Sequence, residues 1–133
     1  MTKSKSLCTW LEGQVGGKYV WGGKSPKDGG YDCSGLTKAA YKLVAIWIPD
    51  GSANQADPRR YLPHQDMRLI PVMTAHEGCL IFKKRWKIGP VFHVAIIVEG
   101  GNLIEARGKK WGVIKRFWSP KEWQLAGKID CLY

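Results

Sequence analysis

An α+β fold is expected, and three features of the sequence predict it. Helical periodicity marks the opening segment and the stretch after Cys33. β-Branched and aromatic runs, separated by glycine-rich or charged turns, fill the second half. Helices therefore come first and an antiparallel meander second, with a helix packed on a C-terminal sheet.

The elements follow in order. Leu7, Trp10, Leu11 and Val15 share one helical face, so a short helix opens the chain. "VGGKYVWGGK" breaks it with two glycine pairs. Leu36, Ala39, Ala40, Leu43, Val44 and Trp47 then recur at helical spacing. They predict a helix from about Cys33 to Ile46, ended before Pro49. Asp32 stands at its N-cap. "IPDGSANQADPRRYLPHQDMRL" is polar and rich in proline, and reads as a long loop with one short helix. Strands are expected at "CLIFKK", "VFHVAIIV", "NLIEAR", "GVIKRFW" and "KIDCLY".

At 133 residues, the chain is expected to form one domain over residues 1–133. Apolar residues make up 44 %, which argues against disorder, and seven tryptophans are expected to supply much of the core. The net charge of +10 favours a polyanionic partner. No nucleic-acid motif accompanies it, which argues against nucleic acid and leaves an acidic membrane or an anionic cell-wall polymer as candidates. No stretch approaches a membrane span, and no signal peptide is visible. Synthesis in the cytoplasm is expected, so any action outside the membrane requires something else to carry the protein there. Cys8, Cys33, Cys79 and Cys131 form no CxxC pair, and His64, His76 and His93 have no ligand spacing, so no metal or other cofactor is expected. Free thiols are expected at all four, with Cys8, Cys79 and Cys131 acting as small buried hydrophobes.

Cys33 differs from the others. It lies in "GGYDCSGL", at the first turn of its helix, where free amides and the helix dipole favour a thiolate. Gly29, Gly30 and Gly35 would let backbone and substrate come close. The same position suits a buried cysteine near a turn. A nucleophile needs a base, and His93 alone of the histidines lies within an expected strand. It is either a satisfied core residue or that base, facing Cys33 across the helix–sheet interface.

"GGKYVWGGKSPKDGGYDCSGL" resembles the signature of the NlpC-type cell-wall cysteine peptidases, relatives of papain. The match comprises Tyr19, Trp21, Gly22 and Gly23, then Asp32 to Gly35, then His93. Pro49, Ser52 and Gln55 resemble a further family stretch. "EGCLIF" resembles another, with Cys79 replacing an aspartate. The likeness runs from about Val15 to Ala106. It implies a papain-like fold, Cys33 as nucleophile and His93 as base. It also puts Tyr19 beside the thiolate to bind oxyanion or substrate, and Asp32 and Ser34 along the substrate pocket. Trp21 reads as core. The third catalytic position departs from the family's frequent histidine. Glu105 stands there, either to orient His93 or as a surface glutamate paired with Arg107.

The resemblance implies a cysteine endopeptidase of bacterial peptidoglycan stem peptides, acting next to a γ-linked D-glutamyl residue. Two alternatives stand beside it: an acyl-transfer enzyme or amidase with the same thiol chemistry, and a non-catalytic module that binds wall polymer. Parity adds one test. Gly100-Gly101 invites a two-residue turn, pairing Glu99 with Asn102, which would put His93 and Glu105 on opposite faces. A three-residue loop, Glu99 to Gly101, pairs Val98 with Asn102 and brings them to one face. The catalytic set requires the odd loop.

Overall fold

The computed structural model describes Met1–Tyr133 throughout. Helix α1 spans Lys3–Gln14 and is capped by Thr2, whose hydroxyl accepts from the Lys5 amide at 3.1 Å. Leu7, Cys8 and Leu11 bury its inner face. Val15 lies past its end and is exposed. A two-stranded ribbon, β1 (Lys24–Ser25) with β2 (Gly30–Tyr31), leads into α2, Cys33–Leu43. A single helical turn follows as α3, Ser52–Gln55.

The large sheet contains β3 (Met67–Ile70), β4 (Leu80–Lys84), β5 (Val91–Val98), β6 (Asn102–Ala106), β7 (Val113–Phe117) and β8 (Leu125–Ile129). Its order is β3-β8-β4-β5-β6-β7, with antiparallel pairing throughout. The meander holds from β4 to β7. The chain then returns, and β8 pairs with β4 on its other side. One face of the sheet presents Phe82, Val94, Ile96 and Ile104 to Leu7, Leu11, Leu36 and Tyr41 of the helices. The opposite face carries a smaller cluster of Ile81, Ala95, Ile97 and Leu103, closed by Trp123.

The structure corrects several expectations. Helix α2 stops at Leu43 rather than Ile46, because Ala45 turns left-handed at φ 62°. Leu43 and Trp47 consequently face outward, while Ile46 and Ile48 are buried. Strand β3 lies inside the segment read as loop. Its alternation is weak, since Arg68 and Leu69 are both exposed on this edge strand. The last strand is Leu125–Ile129, and "DCL" at Asp130–Leu132 is a 3₁₀ turn. All four cysteines are free, but Cys131 is exposed and donates to Gln65 Oε1. Of the seven tryptophans only Trp123 is buried, so the core is built mainly of aliphatic residues, with tyrosines and Phe82 as its other aromatics.

Candidate active site

The start of α2 is fixed by local chemistry. One oxygen of Asp32 accepts from the Gly35 amide at 2.7 Å, and its other oxygen accepts from the Gly22 amide at 3.1 Å. Asp32 thus caps the helix and ties the Trp21–Gly22 turn to it. Gly35 has no room for a side chain, because an added Cβ would lie 2.0 Å from the Gly23 carbonyl oxygen. Gly30 is equally confined, by the carbonyl of Lys18. These glycines serve close approach of the chain to itself, not to substrate. Gln55 pins the same turn from α3. Fully buried, it donates to the carbonyls of Ser34 and Pro49 at 3.0 Å each and accepts from the Thr37 hydroxyl at 2.6 Å. The Pro49–Ser52–Gln55 stretch therefore holds the cysteine-bearing helix in place.

Cys33 occupies the first helical position and faces a cleft of about 570 Å³. Tyr19, Trp21, Asp32, Ser34, Ser52, His93 and Glu105 line this cleft with it. Burial pushes the Cys33 thiol above its ordinary range, while the amides of Val94, Ser34 and Cys33 itself pull it down. Burial prevails, so the helix start alone does not yield the lowered thiol pKa expected from sequence. Burial and the neighbouring Cys33 and Asp32 raise the Tyr19 hydroxyl, which stays protonated and able to donate. Trp21 is not core: it is 82 % exposed and forms part of the cleft rim.

His93 is the third residue of β5, and its side chain is mostly buried. Its ring stacks on Trp123, with centroids 5.9 Å apart and planes 28° apart. Val98 pairs with Asn102 and Ile96 with Ile104, which is the register of a three-residue loop. His93 and Glu105 accordingly share a face, and Nε2 of His93 lies 2.6 Å from Glu105 Oε1. The carboxylate can only accept, so Nε2 carries the proton and Nδ1 is left as the basic nitrogen. The face they share is the one turned away from the main core. Cys33 and His93 both line the cleft.

Glu105 is no surface residue, being 1 % exposed. Its second oxygen accepts from Nε of Arg116, not from Arg107. Arg116 in turn grips Glu122 with two bonds of 2.8 and 2.6 Å, and Lys83 reaches the same carboxylate. Burial works against ionisation of Glu105, but the hydrogen bonds from His93 and Arg116 outweigh it and hold the carboxyl below its usual value. The bidentate bond from Arg116 holds Glu122 lower still, at about 2. No local pattern marks Arg116, Glu122 or Trp123. Register links them: Arg116 lies opposite Leu103 on β6, and Lys83 opposite His93 on β5.

A thiol at a helix start, an imidazole on an antiparallel sheet and a carboxylate behind it define the papain-like arrangement. The chain belongs to the NlpC/P60 family, whose model matches residues 16–126. It is similar to the murein DD-endopeptidase MepH of Escherichia coli, 36 % identical over 94 residues, which are 70 % of this chain and 32 % of that protein. It is also similar to the peptidoglycan endopeptidase RipB of Mycobacterium tuberculosis, 33 % identical over 106 residues, covering 71 % of this chain and 39 % of the relative. The chain thus spans less than half the length of these relatives. Among solved structures, an NlpC/P60 family protein from Bacillus cereus superposes with a TM-score of 0.79 at 27 % identity, over 92 % of this chain and 39 % of the other.

Proposed function

We propose that this chain is a cysteine endopeptidase that hydrolyses peptide bonds in bacterial peptidoglycan stem peptides, with Cys33, His93 and Glu105 as its catalytic set. The observation that carries the reading is the 2.6 Å bond that Nε2 of His93 donates to Glu105, which leaves Nδ1 of His93 free in the cleft that Cys33 faces. His93 takes the thiol proton as sulfur attacks the amide carbon. The resulting oxyanion meets the first-turn amides of α2 and the Tyr19 hydroxyl. His93 then protonates the leaving amine, and a thioester remains. Water attacks the thioester, gives one proton to His93, and the acid departs as the thiol re-forms. Asp32 is engaged by backbone amides, so its part in the pocket is to shape it. Ser34, which donates to Asp32 at 3.3 Å, is available to substrate through its hydroxyl lone pairs.

The scissile bond is proposed to follow a γ-linked D-glutamyl residue. A second reading is favoured by the likeness to MepH, a DD-endopeptidase by name, and it puts the cut between two D-configured residues. Digestion of purified peptidoglycan with mass-spectrometric identification of the new termini separates the two. New γ-carboxylates of D-glutamyl residues support the first and new α-carboxylates of D residues the second. Intact glycopeptides would refute both. An added amine tests acyl transfer, which would yield a new amide in place of the acid. The charge of +10 supports an anionic wall polymer as a further partner.

A further inference from the structure

Four of the six arginines in the chain pair with carboxylates: Arg59, Arg60, Arg68 and Arg116. Arg85 and Arg107 have no carboxylate partner, and both line the cleft that contains Cys33 and His93. Each lies on an aromatic ring. The Arg85 guanidinium carbon is 4.9 Å from the Phe92 centroid, and that of Arg107 is 4.7 Å from the Trp111 centroid. Such stacking holds the guanidinium plane and leaves its N–H edge open to a planar acceptor.

The two positions flank the chemistry. Phe92, the platform for Arg85, directly precedes His93, and Arg107 follows Glu105 by two residues. The acids of the cleft are already engaged, Glu105 by His93 and Arg116, and Asp32 by the amides of Gly22 and Gly35. The third cation, Lys83, is held by Glu122. The cleft cations without a carboxylate partner are therefore Arg85 and Arg107, and the cleft acid without a cation is Asp32, whose oxygens are taken up by the amides.

We infer that Arg85 and Arg107 are the carboxylate receptors of this cleft, and that its preferred stem peptide carries free carboxylates on both sides of the scissile bond. The inference rests on the stem-peptide reading above and adds what that peptide must present. A carboxylate offers two oxygens to a guanidinium fork, whereas an amide offers one oxygen and an N–H₂ that opposes the donor. Amidation of the D-glutamyl α-carboxylate, or of the diamino acid's side-chain carboxylate, should therefore be resisted.

Four synthetic γ-D-glutamyl–diaminopimelate peptides, free or amidated at each of these two carboxylates, test this. Each amidation should lower kcat/KM of the wild-type protein about 10- to 100-fold. Arg85→Gln should lose sensitivity to one amidation and Arg107→Gln to the other. Equal cleavage of free and amidated peptides by the wild type overturns the inference while leaving the hydrolase reading intact. Retained discrimination in both variants overturns it too. Should none of the peptides be cleaved, the γ-D-glutamyl reading fails, and binding to a Cys33→Ala protein decides the recognition separately. Tighter binding of the free-carboxylate forms, lost in the arginine variants, upholds the receptors, and equal binding removes them.

Discussion

Replacing Glu105 by glutamine keeps the shape of the side chain and changes its hydrogen-bonding capacity. The carboxylate accepts twice, from His93 at one oxygen and from Arg116 at the other. Glutamine has one acceptor and one donor group, and Arg116 can only donate. The charged guanidinium claims the oxygen, so the amide N–H₂ turns toward Nε2 of His93. That selects the tautomer protonated at Nδ1, which cannot take a proton from Cys33. Loss of the correct tautomer and of support for the imidazolium lowers kcat by about 10²–10⁴. The fold loses less. Arg116 keeps Glu122 as a partner, so about 1–3 kcal/mol is expected.

Steady-state hydrolysis of a muropeptide gives kcat, and iodoacetamide labelling reports Cys33 independently. Glu105→Gln should still be alkylated at Cys33, more slowly than wild type because the imidazole no longer takes the thiol proton. The tautomer argument makes a sharper demand. In Glu105→Gln/Arg116→Met nothing claims the glutamine oxygen, which can swing to accept from Nε2. The double variant should then recover about tenfold over Glu105→Gln alone. A double variant no faster than the single one refutes the tautomer argument. Turnover in Glu105→Gln within about threefold of wild type, against the range above, removes Glu105 from the catalytic set.

Cys33→Ala should reduce turnover to background with Tm changed by no more than about 4 °C, read by calorimetry; residual hydrolysis would assign the nucleophile elsewhere. Gly35→Ala would set a Cβ 2.0 Å from the Gly23 carbonyl oxygen and should destabilise by about 2–3 kcal/mol in urea unfolding, with activity falling as the helix start shifts. Glu122, depressed from 4.5 to about 2, contributes stability that is complete above its unfolded value and is lost as pH falls toward about 2. That shift corresponds to roughly 3 kcal/mol, cut to about 1–2 by exposure of a third of the side chain, so Tm should fall between pH 5 and 2 less steeply in Glu122→Gln than in wild type. Binding to whole cell walls should weaken as salt rises, and equal binding at low and high salt would dissociate the positive charge from wall attachment.

Where causes are local, the sequence was informative. The cap by Asp32 and the helix start at Cys33 involve only neighbouring residues, and the residue types there admit few alternatives. The hairpin was legible for a different reason. Gly100-Gly101 fits two loop lengths, but only one puts Glu105 on the face of His93, and the observed register is that one. Tryptophan content misled because composition does not distinguish a ring that fills a core from one that carries a cation. Trp111 supports Arg107 and Lys110, and Trp47 supports Lys38, all at the surface. Arg116 was silent for a related reason. In "GVIKRFW" it reads as one more solvated cation, and its role depends on the β6–β7 register, which no short pattern encodes.

In the proposed mechanism that register lets a half-buried thiol be activated without a permanent thiolate. Burial favours the neutral sulfur, so charge must appear on Cys33 and His93 together. Behind His93 the charges alternate: Glu105 negative, Arg116 positive, Glu122 negative, Lys83 positive. The chain of four is neutral, so moving the thiol proton to His93 adds an ion pair and no net charge. Glu105 is the link closest to the imidazole, and its field there is the strongest of the four because interaction falls with distance. Arg116 offsets part of that field but also keeps Glu105 ionised in a site with 1 % exposure. Glu122 then holds Arg116 from behind, in a geometry where neither cation nor anion is left buried alone. The orientation of His93 thus rests on β6, β7 and the turn before β8 together, elements that contribute nothing to the nucleophile itself.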